Sequence, residues 1–375
     1  MIVAVLLAPV LYSYVTAMLK PSSLPLTIRT VEWVRANHGA SLVDTIESWY
    51  YTWQAPAKGG PALHALPAVG LTDPPAAPPP SSRRATAPKA YSPPPILPVI
   101  APALAGEGVW RPAERWAGMP APVRETVFRP DPSYPRVVAY MAWISHSATQ
   151  LALYPGRYEP PSGSPRGPLE VPSGQRYRLL ATFNSGFTHS DGNGGFSVNN
   201  HTYEPLVDGF ATLIEYRSGR VDIVDWHGGP NAPSDIVLAR QNVPLIVNGA
   251  HPSPALDTNG AVWGYTLGNA VRVWRSAVGI DRQGNLIYAA ADSQTAASIA
   301  AIMAHAGAVR AMELDINAEW PTFNTYGARA AHRPVMMVPN SQQTPTRYLV
   351  PDDRDFFAIY LRDPAAPSGF QVPFR

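Results

Sequence analysis

Residues 293–317 read SQTAASIAAIMAHAGAVRAMELDIN, and the fold class turns on how this stretch changes its period. Ile299, Ile302 and Met303 recur at helical spacing, Asp292 or Ser293 is placed to cap the start, and Gly307 ends the run. From Arg310 the period drops to two, so Met312, Leu314 and Ile316 share one face while Glu313, Asp315 and Asn317 share the other. A helix over 293–306 therefore feeds a strand directly. Upstream the patterning is that of strands, at 137–144, 151–154, 177–183, 211–216, 221–226, 243–247, 271–280 and 286–291. Arg217-Ser218-Gly219-Arg220 and residues 281–285 read as hairpin connections. Many strands, one helix and then a strand predict an α+β fold: a strand-rich mixed sheet domain with few helices over 123–375. Strict alternation of strand and helix, as in a Rossmann or TIM fold, is absent.

Outward from this domain the composition changes. Of the 43 prolines in the 375 residues, many fall within 55–122, including Pro93-Pro94-Pro95 and the run 74–80. That span predicts a semi-rigid linker, partly polyproline II, without a core of its own. Before it, residues 21–54 carry two short amphipathic helical patterns. One lies near 27–37, with Ile28, Val31 and Val34 or Arg35 on a face and a stop at Asn37-His38-Gly39. The other lies near 41–53, with Ser41 as N-cap and Val43, Ile46, Trp49 or Tyr50, and Trp53 in phase. The aromatic group Trp49, Tyr50, Tyr51 and Trp53 suits a membrane interface, and equally suits packing against the partner helix or the main domain. Residues 2–19 hold no charged side chain before Lys20, about the shortest length that spans a bilayer. No basic segment precedes them and no small-x-small cleavage site follows. Residues 1–20 are thus expected to be a signal anchor, with the domain outside the cytoplasm and tethered to the membrane, or secreted if the segment is cleaved.

Charge and cysteine content exclude several classes. Lys+Arg of 29 against Asp+Glu of 27 leaves a net charge of +2, too little for an extended nucleic-acid footprint. With no Cys, thiolate metal sites, disulfides and a Cys nucleophile are all ruled out. His189, Asp191 and His201, or His251 and Asp257, match no metal-ligand spacing and read as loop polarity. A Ser–His–Asp hydrolase lacks its G-x-S-x-G elbow. The reading implies no metal and no cofactor.

Four segments carry candidate chemistry. Glu313, Asp315 and Asn317 line one strand face with Glu319 just beyond. Adjacent acids repel, so this face reads as either a polar pocket wall or a solvated acidic edge. Asn184-Ser185-Gly186-Phe187 and Asn248-Gly249 each close an apolar strand. Arg275 is an isolated cation in the apolar strand Trp274-Arg275-Ser276-Ala277-Val278-Gly279-Ile280-Asp281 and requires an anionic partner.

In order and spacing these segments resemble the phosphodiester glycosidase family over about 137–357. That pattern has an Asn-Gly-Gly-Phe-like strand end, a later Asn-Gly, an Arg-Thr/Ser-Ala-Ile/Val-Gly-Ile-Asp strand, and a Gly-Ala helix end leading to Leu-Asp-Gly-Gly-Gly-Ser. Here Asn184-Ser185-Gly186-Phe187, Asn248-Gly249, the Arg275–Asp281 run, Gly307-Ala308 and Leu314-Asp315 stand in those places. After Asp315 the chain departs: Ile316-Asn317-Ala318-Glu319-Trp320 replaces the glycine-rich turn, filling space where backbone N–H groups would approach a phosphate. The resemblance implies a glycosidase acting on a carbohydrate or sugar-phosphate substrate. Asp315 is expected as nucleophile or general base, Arg275 as holding the phosphate or Asp315, and Glu319 as supplying acid assistance. Asn184, Asn317, Asn248 and Glu313 are the expected substrate-binding residues. The competing expectation is a non-catalytic envelope protein that binds glycan through a lapsed site.

Overall fold

The computed structural model describes residues 2–70, 91–114, 120–163, 166–264, 272–327, 332–340 and 343–362. Its central sheet has eight strands, in the order Arg111–Pro112, Val123–Phe128, Ala139–Ile144, Leu286–Gln294, Val273–Ile280, Arg310–Glu313, Val247–Asn248 and His251–Pro252. A five-stranded sheet runs His332–Met336, Phe323–Gly327, Leu179–Asn184, Phe356–Leu361, Thr149–Tyr154. A second one runs His201–Glu204, Phe196–Val198, Ile236–Gln241, Ala211–Tyr216, Val221–Asp225. The strand-rich α+β expectation holds at this level.

Alternation explains the layering. Along Leu286–Gln294, Tyr288 and Ala290 enter the core shared with the two smaller sheets, beside Phe183, Phe323 and Phe357. Ala289 and Ala291 point the other way, onto the helix Ala296–His305, whose Ile299, Ile302 and Met303 fill the second core. Small side chains at Ala139, Ala277, Ala289 and Ala311 let that helix lie close to the sheet. Its cap differs from expectation. The strand continues to Gln294, so Thr295 is the N-cap, forming a reciprocal capping box with Ser298. The following strand also stops early, at Glu313, because residues 314–317 leave regular pairing.

The N-terminal segment folds as helices Ile2–Leu19, Leu26–Val34 and Ala40–Gln54, with a kink at Asn37 and His38. Helix Ala40–Gln54 begins one residue before Ser41 and has no side-chain cap. No helix among the described residues is long and apolar enough to cross a membrane, so a spanning anchor finds no support. Helix Ile2–Leu19 has 18 residues, about 27 Å at the helical rise, short of the roughly 30 Å of a hydrocarbon core. It also carries polar contacts: Trp33 Nε1 donates to Ser13 Oγ (3.1 Å), and Tyr14 and Thr30 share a hydroxyl bond (3.0 Å). Trp49 and Trp53 stack with each other and are exposed.

Within the span read as linker, the proline run 74–80 lies outside the described residues. Residues 91–114 lie against the domain: Ile96 and Trp110 are buried, and Glu107 forms a buried ion pair with Arg129 (2.8 Å). A buried carboxylate without that cation would be costly, so the pair fixes the segment in place.

Close packing predicts one sensitive position. A Cβ at Gly279 would meet Met303 Cε at 2.6 Å, Ala308 Cβ at 2.9 Å and the Arg310 carbonyl at 3.0 Å. Gly279→Ala is therefore expected to lower unfolding stability by about 1–3 kcal/mol, read from the urea midpoint. An unchanged midpoint would show that helix and sheet are not packed this closely.

Candidate functional site

Asp315 sits two residues past the strand Arg310–Glu313, at a point where backbone from the central sheet and from the sheet containing Leu179–Asn184 converges. Ser276 holds it there. The Asp315 N–H donates to Ser276 Oγ (3.1 Å), the Ser276 N–H to the Asp315 carbonyl (2.9 Å), and the Leu314 N–H to the Ser276 carbonyl (2.8 Å). Ser276 Oγ is fixed in turn by Asn184 Nδ2 at 3.0 Å. Asn184 Oδ1 accepts from the Tyr288 hydroxyl (2.9 Å) and the Thr322 N–H (3.0 Å), and its Nδ2 also reaches the Ser185 carbonyl (2.9 Å). All the bonding capacity of this buried amide points into the protein, so its place is that of a brace. A second brace was not visible in the sequence pattern. Asn242 Nδ2 donates to the Glu313 and Leu314 carbonyls (2.7 and 2.9 Å) while its Oδ1 accepts from the Phe187 N–H (3.3 Å).

The Asp315 carboxylate, in a residue only 4% exposed, is held on both oxygens. Oδ1 accepts from the Asn317 N–H (3.0 Å), and Oδ2 accepts from Arg354 at 3.1 Å. Arg354 also donates to the Gly186 carbonyl (2.9 Å), tying together the ends of three segments. Burial pushes the Asp315 carboxyl up to about 6, against the pull of Arg354 and with a smaller push from Asp191.

Arg275 lies elsewhere. Its guanidinium pairs with Glu313, both side chains 0% exposed, and donates to the carbonyls of Trp263 (2.8 Å) and Gln294 (3.1 Å). Glu313 thus belongs to the interior rather than to a pocket wall, and the cation on Asp315 is Arg354. The strand register explains this: Glu313 lies opposite Ala277 and faces the helix side of the sheet, close to Arg275. Asn248 is exposed in a hairpin turn opposite Arg310, about 16 Å along the strand from Asp315. Asn317 and Glu319 remain beside Asp315 in the turn. Asn317 Oδ1 accepts from the Glu319 N–H (3.0 Å), and Glu319 Oε2 is buried without a partner among the described residues. Burial raises the Glu319 carboxyl, with Arg347 pulling it down.

Trp320, at the end of this turn, is buried with Arg354 4.4 Å and Arg347 5.0 Å from its ring centre. Arg347 is held by Asp352 (2.8 Å) and by Thr322 Oγ1 (3.2 Å). Further charge surrounds the site. Arg240 pairs with Asp355 (2.7 Å), and Glu159 Oε1 accepts from the His189 N–H (2.7 Å). Burial raises the Glu159 carboxyl, Asp355 adds to this, and Arg240 and Arg354 oppose it. The N-terminal segment closes one side. Ser22 Oγ and the Ser23 N–H donate to Asp353 Oδ2, and the Tyr158 hydroxyl donates to the Pro21 carbonyl (2.6 Å). Glu32 is raised by burial and feels Arg354. Arg354, Trp320 and Glu159 gave no periodic signal. The one clue was the crowding of charge at Asp352-Asp353-Arg354-Asp355 before an apolar strand.

The model of the phosphodiester glycosidase family matches residues 177–315. Among solved structures, the chain is similar to the catalytic domain of zebrafish N-acetylglucosamine-1-phosphodiester alpha-N-acetylglucosaminidase, auto-inhibited by its pro-peptide. Identity is 16%, coverage 67% of this chain and 86% of that one, and the TM-score 0.44. A hypothetical protein from Synechocystis gives 12% identity, 64% and 62% coverage and a TM-score of 0.38. A Burkholderia pseudomallei protein described as exported gives 13%, 62% and 75%, with a TM-score of 0.28. No curated protein matches the chain.

Two measurements check the electrostatics. Asp315 has its folded pKa raised to about 6, so its contribution to stability is full below the unfolded value of about 4 and is lost as pH rises through the folded value. Asp315→Asn is therefore expected to be more stable than the parent at pH 7, by about 1–3 kcal/mol, with the gain vanishing near pH 4. A gain independent of pH in urea titrations would contradict this. Arg354→Ala removes the cation that lowers the Asp315 carboxyl, so carboxyl-carbon NMR should place Asp315 higher still.

Proposed function

We propose, from the family match that ends at Asp315, that this chain is a glycosidase-type hydrolase. It cleaves a sugar-1-phosphodiester or a related glycosidic linkage in cell-envelope glycans, with Asp315 as nucleophile or general base. One observation carries the reading: a buried carboxylate raised to about 6 and braced through its own backbone, with a single guanidinium on one oxygen. A group titrating there is ionised at neutral pH yet basic enough to activate water, or to attack an anomeric carbon. A phosphodiester leaves readily, so little acid assistance is needed. For a poorer leaving group, Glu319, raised by burial, supplies the proton. Arg354 takes the role expected of Arg275, holding the carboxylate between turnovers and meeting the departing phosphate during them. Asn317 meets sugar hydroxyls. The uncharged span before Lys20 and the absence of Cys fit export.

A second reading rests on the filled turn. With Trp320 against Arg354 and Arg347, and Asp315 already paired, a glycan-binding protein without turnover fits the same geometry.

The two readings part in one assay. The full chain is incubated with envelope polysaccharide fractions, and released reducing ends and phosphomonoesters are measured. Hydrolysis should fall about 10²–10⁴-fold in Asp315→Asn, and in the parent should decline as pH drops through about 6. Undiminished hydrolysis by Asp315→Asn would falsify the catalytic assignment. Glycan binding without release of either product selects the second reading.

A further inference from the structure

A second polar site lies at the other end of the strand that carries Ser276. Val273–Ile280 runs from the Asp315 region to the turn at Asp281, about 15 Å away. There a half-open cavity of about 500 Å³ is lined by His146, Arg220, Asp222, Asp281, Arg282 and Arg310, with apolar walls from Ile280 and Val309. Four separate chain segments supply the three guanidiniums and the imidazole. They are the turn after Ala139–Ile144, the hairpin before Val221–Asp225, the hairpin after Val273–Ile280, and the start of Arg310–Glu313.

The two carboxylates do not balance the three cations. Asp222 is shared, accepting from Arg220 at 2.9 Å and also from Arg310. Asp281 is spent on its own turn and neighbours. It accepts from Trp143 Nε1 (3.1 Å), the N–H groups of Gln283 and Asn285 (both 2.9 Å) and Asn285 Nδ2 (3.0 Å). Arg282 is exposed and, among the described residues, has no carboxylate within ion-pair distance. Behind the cavity Arg362 donates to the carbonyls of His146 (3.2 Å) and Gly219 (3.3 Å), adding a fourth positive charge. His146 Nδ1 and Arg362 Nε are buried without partners among the described residues. A concave site whose cations outnumber its carboxylates, with free guanidinium donors, is built to receive an anion. Its volume lies within the range of about 300–1,000 Å³ typical of small-molecule sites and exceeds what one oxyanion fills.

We propose that this cavity is a second, non-catalytic binding site for a tetrahedral oxyanion, taken either as a phosphate ester on a sugar or as free phosphate. Arg220, Arg282 and Arg310 grip the oxygens, and the apolar walls receive whatever the phosphate is attached to. The site stands independently of the reaction assigned to Asp315.

Calorimetric titration of the full chain at low salt tests it with three probes: glucose 6-phosphate, inorganic phosphate and glucose. Saturable binding of the phosphate-bearing probes and none of glucose is expected. Arg282→Ala and Arg220→Ala should each weaken it about tenfold, while Asp315→Asn and Arg136→Ala, an exposed arginine elsewhere, leave it unchanged. Tighter binding of glucose 6-phosphate than of phosphate assigns the site to a sugar ester, and equal affinities assign it to free phosphate. No saturable binding, or binding untouched by Arg282→Ala and Arg220→Ala, overturns the proposal. So does binding that vanishes in Asp315→Asn, which would place the anion at the other site.

Discussion

A single serine hydroxyl joins the central sheet to one of the five-stranded sheets where the candidate chemistry sits. Ser276 Oγ receives the Asp315 N–H and the Asn184 amide, and Asn184 in turn receives Tyr288 and the Thr322 N–H. The strand ends of the central sheet and of the sheet containing Leu179–Asn184 are thereby held in one hydrogen-bond network. The position of Asp315 follows from that network rather than from regular pairing, which has already stopped at Glu313. Such a buried network costs little when every member is satisfied and a great deal when one is not. Asn184 is fully satisfied by protein groups, and so fixes the geometry around Ser276.

Electrostatics divides the acids of this region into two kinds. Glu313 and Asp355 lie inside with dedicated arginines, Arg275 and Arg240, and their pairs lock layers together. Asp315 shares its arginine with the Gly186 carbonyl and with the face of Trp320, so the same guanidinium serves a carboxylate, a backbone oxygen and a ring. Burial of a carboxylate with only partial compensation is destabilising, and that cost is what leaves Asp315 basic. Trp320 alters the balance. The ring steadies Arg354 and at the same time takes up room beside it.

Much of this was legible in the residues. The change of period around Gly307 marked helix and strand, although the strand ends at Glu313 and not beyond Asn317. Arg275 was read correctly as a buried cation in need of an anion. Its partner was misread because alternation was extended past Glu313. Register puts Glu313 on the helix side, and only the loop beyond it brings Asp315 to the opposite neighbourhood. Asn248 was singled out by a dipeptide whose local meaning is a hairpin turn. Arg354 and Asn242 were hidden for a different reason. Each acts through long-range contacts, and no local pattern records a contact made across more than thirty residues of chain. The buried Glu107–Arg129 pair was likewise invisible inside a proline-rich composition.

The segment between the helices and the domain changes how the two are connected. On its near side Gly59 donates to the Ser133 carbonyl (2.8 Å), and Gly70 lies against Pro112 and Glu125. On its far side Tyr91 rests 5.9 Å from the Trp143 ring, centre to centre. Residues 59–70 and 91–114 are therefore both fixed to the same body, and the helices join it again through Ser22 and Ser23 on Asp353. A proline-rich composition thus does not free the helices from the domain. Their seat is decided by the few residues from Pro21 to Ser23, where the Tyr158 hydroxyl and the Asp353 carboxylate hold the chain.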